Sequence, residues 1–234
     1  MSIVGTAVGR LTSGIIGASA TEATGEIQLV GVTSTQWASG TGAKTIAKPS
    51  GLEEGDLLIS FLTHRNSIVA LPTGGATWIE KTHWSVGVTN ITEDSSQNDR
   101  CYIWYKIAGA SEPATYSISY TDSGSDGACW IVMAFRNADT VGSYAATGTT
   151  TTSPAVTATE GDCLICWQGT VFDSSATIPT EPAGMIPDGG VHNGSGDVGL
   201  VVAHEFDQSV GSTGTKAWTS LWATYDIAGS ILIR

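Results

Sequence analysis

The sequence predicts an all-β protein, an antiparallel β-sandwich with an extended N-terminal arm. Three observations predict it. A turn-and-strand phrase occurs twice, short apolar runs alternate with turn-rich stretches along the chain, and no stretch shows a helical period. The repeated phrase is Glu54-Gly55-Asp56-Leu57-Leu58-Ile59-Ser60-Phe61, which returns as Glu160-Gly161-Asp162-Cys163-Leu164-Ile165-Cys166-Trp167. Glycine supplies the backbone angles of a tight turn, and aspartate bonds to its own backbone there. The apolar run after each turn is too short for a surface helix and reads as a buried strand.

The elements follow in order. Residues 1–26 are small, sparsely charged and rich in Gly, Ser and Thr, and read as an arm; residues 27–234 read as a single sandwich domain. Ile3, Val4, Leu11, Ile15 and Ile16, with the single basic residue Arg10, are the arm's candidate anchoring positions on a partner, the alternative being an ordinary disordered terminus. Arg10 comes too late, and the apolar residues are too interrupted, for a secretory signal. Strands are expected at 28–33, 44–47 and 57–63, followed by a long excursion over 64–100 in which Trp78 plugs the core. Runs at 101–107, 115–121 and 128–136, separated by short turns, are expected to be antiparallel neighbours. After a Thr-rich linker, 155–158 leads into the second copy of the phrase. A second irregular excursion covers 173–197, and strands close the chain at 199–206, 218–226 and 230–234.

Parity within the best strands carries a second message. Cys101, Ile103, Tyr105 and Ile107 share one face, and Tyr102, Trp104 and Lys106 the other. In the run at 128–136, Cys129, Ile131, Met133 and Phe135 oppose Trp130, Val132 and Ala134. Neither strand has a wholly polar face, whereas a sheet facing water alternates cleanly. Tyr102, Trp104 and Trp130 are therefore expected to form an aromatic interface, covered by loops or by another chain.

Composition excludes several functions. Charged residues make up 14% of the chain, against about a quarter in ordinary soluble domains. The net charge of −12 and the absence of any basic run speak against binding nucleic acid. No stretch approaches the roughly 18 apolar residues of a membrane span. Cys163 and Cys166 have the spacing of a zinc knuckle, but residues three apart in a strand point to opposite faces. All four cysteines are expected to act as small buried hydrophobes in a reducing compartment. His64, His83, His192 and His204 show no ligand-pair spacing, and His64 is expected at a loop or rim. No catalytic residue, cofactor or metal is assigned, and no enzyme activity is expected. Trp84 and Trp167 are the rings on which a sugar could stack, with core packing as the plainer role for any tryptophan here.

Several of these residues carry a family resemblance. Glu54-Gly55-Asp56-Leu57-Leu58-Ile59, Trp78, Tyr105-Lys106-Ile107-Ala108 with Glu112-Pro113 and Tyr116, and Ala134-Phe135-Arg136 together resemble a β-sandwich module of tailed-phage virion proteins. Glu160-Gly161-Asp162 and Ile231-Leu232-Ile233 fit the same pattern, so the resemblance spans about residues 30–234. It implies a jelly-roll-like sandwich located in the virion. The implied role is a capsid decoration, or cement, protein that binds across subunits of the major capsid protein as a homotrimer. A tail or fibre component, or a carbohydrate-binding module recognising a host glycan, is the alternative. The resemblance carries no catalytic residues.

Overall fold

Both copies of the repeated phrase form strands buried along their whole length, and the other strands are arranged around them. The computed structural model describes residues 25–37, 40–65, 67–86, 91–92, 100–122, 127–148, 150–171, 177–194, 198–219 and 226–234. The strands are β1 (Gln28–Trp37), β2 (Gly42–Ala47), β3 (Leu57–His64), β4 (Ser67–Val69), β5 (Ile79–Val86), β6 (Ile91–Thr92), β7 (Arg100–Ile107), β8 (Thr115–Asp122) and β9 (Ala128–Arg136). They continue as β10 (Val141–Gly148), β11 (Thr152–Ser153), β12 (Thr157–Ala158), β13 (Asp162–Thr170), β14 (Ile186–His192), β15 (Gly199–Gln208), β16 (Gly211–Ser212), β17 (Lys216–Ala217) and β18 (Asp226–Ile233). No helix occurs among the described residues, so the fold is all-β, as the sequence predicts.

Two large antiparallel sheets pack face to face. The first has the order β1-β9-β3-β7-β5-β6 and the second β10-β18-β13-β15-β14. Leu57, Ile59 and Phe61 of the first meet Ile165, Trp167 and Ile231 of the second in the central core. The far face of the first sheet, with Leu58, Trp104 and Trp130, is covered by a three-stranded sheet, β2-β8-β4, which contributes Tyr116 to the shared core. The far face of the second, with Leu164, Cys166 and Leu232, is covered by the short pairs β11-β17 and β12-β16, and Trp218, which follows β17, packs into the same core. Four layers thus enclose three cores. This is why β3, β13 and β18 are apolar on both faces although their sheets are antiparallel.

The three runs expected to be neighbours are not adjacent. β7 and β9 flank β3, and β8 leaves them to pair with β2 and β4 in the outer layer. The reason lies in the side chains. β7 and β9 are apolar on both faces and suit a sheet buried on both sides. β8 buries Tyr116, Ile118 and Tyr120 but turns Ser117, Ser119 and Thr121 outward, the pattern of a one-sided sheet.

Strands lie in both stretches expected to be irregular, and β10 lies in a stretch to which no element was assigned. β5 occupies part of 64–100, β14 part of 173–197, and β10 follows β9 directly. β14 contains Pro187, Gly189 and Gly190, residues of low strand propensity that an edge position tolerates. Of the strand expected at 218–226, Trp218 and Thr219 lie outside any strand, Asp226 opens β18, and 220–225 lie outside the described residues. Trp78 does plug the outer core from a loop, as expected.

Candidate functional site

The aromatic face expected to bind a partner is occupied by the chain itself. Tyr102, Trp104 and Trp130 are 5%, 0% and 0% exposed. Tyr102 and Trp104 stack with ring centroids 4.9 Å apart, and Trp130 Nε1 donates to Ser60 Oγ at 2.7 Å. The predicted parity is correct: Cys101, Ile103, Cys129 and Ile131 enter the central core, and Tyr102, Trp104 and Trp130 the outer one. What the parity did not reveal is that β2, β8 and β4 of the same chain supply the cover. These three residues are core, not interface. The arm candidates Ile3, Val4, Arg10, Leu11, Ile15 and Ile16 lie outside the described residues.

The described chain enters the sandwich at one end of the molecule, beside the two repeated turns. Asn137 Nδ2 donates to Glu26 O at 2.9 Å, which ties the start of the body to the connection between β9 and β10. Two cavities adjoin here and share Asn137. One, of about 350 Å³, is lined by Glu53, Glu54, Asp56, Arg136 and Asp139; the other, of about 330 Å³, by Glu26, Glu160, Asp162, Asp207 and Arg234.

The two turns are built alike. Gly55 and Gly161 have φ of 91° and 79°, a region that favours glycine. Asp56 Oδ2 accepts from Glu53 N at 2.8 Å, and Asp162 Oδ2 accepts from Thr159 N at 2.8 Å. Each aspartate then holds an arginine at the end of the neighbouring strand. Arg136 donates to both oxygens of Asp56 at 3.0 and 3.1 Å, and Arg234 donates to Asp162 Oδ2 at 3.3 Å. These aspartates lock turns and strand ends together.

The remaining reactive side chains are also committed to structure. All four cysteines are buried and unbridged. Burial pushes the Cys101 thiol up to about 12 and the Cys166 thiol to about 11, and it raises Cys129 and Cys163 as well. Thiols held this way are poor nucleophiles and poor metal ligands. Cys163 faces the central core and Cys166 the opposite one, so the knuckle spacing places them on opposite faces, as expected. His64 is not at a rim: it is fully buried, stacked on Tyr102 at 5.5 Å. His204 Nδ1 meets both oxygens of Asp188 at 2.7 and 2.8 Å between the two large sheets, with its ring edge-on to Phe135 and Phe206. His192 Nδ1 accepts from Gly194 N at 3.1 Å. The ring of His83 lies outside the described residues.

Lys106 is a fully enclosed charge. Its Nζ lies 2.6 Å from Glu112 Oε2, donates to Gly74 O at 2.9 Å, and sits 4.3 and 4.8 Å from the ring centroids of Tyr116 and Trp78. Burial lowers its pKa against the pull of Glu112. For Glu112, burial would raise the pKa, but hydrogen bonds from Lys106, Gly109 N and Ala76 N together lower it. Sequence reasoning missed this pair, although Lys106 stands out as the one charge in the run 101–107. Of the two rings considered for sugar stacking, Trp167 packs against Phe61 in the central core, and the ring of Trp84 lies outside the described residues. No family model, curated protein or solved structure matches this chain.

Proposed function

We propose that this chain is a tailed-phage virion structural protein, a capsid decoration protein that strengthens the shell by binding across subunits of the major capsid protein. One observation carries the reading: the residues of the phage-module resemblance are the fold's own fastenings. Asp56 fastens Arg136, and Lys106, Glu112, Tyr116 and Trp78 form one enclosed cluster. A body whose distinctive polar residues are spent on internal bracing suits a scaffold that bears load. With the aromatic sheet faces consumed internally, adhesion falls to the arm and to the end of the sandwich from which it leaves.

The arm also has suitable chemistry. Arg10 is the only charged side chain before Glu22, whereas the whole chain carries −12. An apolar, nearly neutral strap laid over neighbouring coat subunits gains about 25 cal/mol per Å² of apolar area buried. Three copies around a local threefold position would brace the seams from outside.

The test is a binding experiment on coat shells assembled without this protein. The full chain and a variant lacking residues 1–26 are added, and the bound fraction is read by co-sedimentation and electron microscopy. The full chain should decorate the shells, and the truncated variant should keep its β-sheet circular dichroism but lose binding. Binding of the truncated variant at full affinity would refute the arm mechanism. Failure of the full chain to bind any shell would refute the decoration role.

A further inference from the structure

Four stacked layers are more than the two or three a single domain normally uses. The cores divide unequally among them. One core lies wholly within residues 30–134 and another wholly within 145–232, while the central core takes ten buried residues from 57–138 and eleven from 141–233. Each outer core is thus the interior of a sandwich made by one half of the chain. The central core is the seam between halves.

The halves also repeat in detail. Strand order β1-β9-β3-β7-β5 is matched term by term by β10-β18-β13-β15-β14, and the chain visits the positions in the same sequence. In the first half β2 and β8 pair to cover the sheet; in the second, β11 with β17 and β12 with β16 do so. The glycine turn, its aspartate and the strand-end arginine recur in each half. Lys106 lies opposite Leu58 and binds Glu112; Glu205 lies opposite Leu164 and binds Lys216 at 2.5 Å. One bracing position is kept with its charges exchanged, enclosed in the first half and partly exposed in the second.

We infer that the chain is a tandem duplication of one jelly-roll-like unit, residues 27–137 and 141–234, and that the inner sheet face of each unit is a docking surface whose partner is a second copy of that unit. The seam has the character of an obligate dimer interface, apolar at its centre. Polar links also cross it: Cys129 Sγ to Val198 O at 3.2 Å, Lys81 Nζ to Val141 O at 3.2 Å, and Asn193 Nδ2 to Trp37 O at 3.4 Å. The ends are placed as a short fusion requires. Asp139 N and Thr140 N, in the connection between units, both donate to Arg234 O at the end of the second. Fusion keeps the pair together and leaves each half free to change its outer layer. That layer is a full sheet in one half and two short pairs in the other.

The experiment uses the full chain with a protease site inserted between Asp139 and Thr140, both exposed. After cleavage, native mass spectrometry should find the two halves as a 1:1 complex, which re-forms after unfolding in urea and refolding. Halves that part on cleavage without denaturant would overturn the inference. Native-state hydrogen exchange on the unmodified chain is a second, independent reading, and it decides alone if the insertion prevents folding. An obligate pair opens as one unit, so the slowest amides of β3 and β13 should agree in protection to within about tenfold. A larger gap would mean that one half stands without its partner, which overturns the inference.

Discussion

Replacing Lys106 by methionine isolates the energy of the enclosed charge pair. Methionine keeps most of the length and fills the channel between Trp78 and Tyr116, so little volume is lost. The variant loses the 2.6 Å contact with Glu112 and the bond to Gly74 O, and leaves a carboxylate only 4% exposed without its counter-ion. Removing one partner of a buried pair costs about 3–5 kcal/mol. Glu112 Oε1 still accepts from Gly109 N at 2.9 Å and Ala76 N at 3.2 Å, which places Lys106→Met near the lower bound, at about 3 kcal/mol. At this chain length that corresponds to a fall of about 6–12 °C in Tm. Adding Glu112→Gln removes the stranded charge, and the double variant should lie only about 1–2 kcal/mol below the parent. The pH dependence should invert as well. In the parent, Glu112 has a lowered folded pKa, so its stabilisation is present above 4.5 and is lost as pH falls through the folded value. Without Lys106, burial governs and the folded pKa rises, so the variant should gain stability as pH falls toward 4.5. Urea unfolding followed by circular dichroism, at neutral and mildly acidic pH, reads both effects. A loss below about 1 kcal/mol, or a double variant no more stable than the single one, would refute the reasoning.

Asp56→Ala and Asp162→Ala should each destabilise the protein by about 2 kcal/mol, because each removes an ionised acceptor of a turn amide and an arginine; comparable shifts in urea midpoint for the two variants would check this. Buried thiols of raised pKa should resist alkylation, so native protein treated with iodoacetamide should remain unmodified at Cys101, Cys129, Cys163 and Cys166 by mass spectrometry, and all four should react in denaturant. Burial raises the pKa of Asp188 above 3.8, with the His204 hydrogen bond acting the other way, so its favourable contribution is lost as pH rises from 3.8 through the higher folded value. Asp188→Asn should therefore flatten that limb of the stability–pH curve, and an unchanged slope would show that Asp188 does not generate it.

Much of the fold was legible because its signals are local. The glycine–aspartate turns, the parity of Cys101–Ile103 against Tyr102–Trp104, and the opposed placement of Cys163 and Cys166 follow from backbone angles and a two-residue period. β5, β10 and β14 were not legible, since an edge strand such as β14 can carry proline and glycine at positions that pairing does not penalise. The Lys106–Glu112 pair escaped because its partners come from separate segments, and only packing encloses them.

The amino-acid sequence by itself determined that this chain is built from strands, which residues share a face, and that one strand-entry device is used twice. The tertiary structure decided what covers those faces. An apolar strand face states only that water must be excluded, and own chain and partner satisfy that demand equally well. Here β2, β8 and β4 close over Tyr102, Trp104 and Trp130, and the second half closes over the inner face of the first.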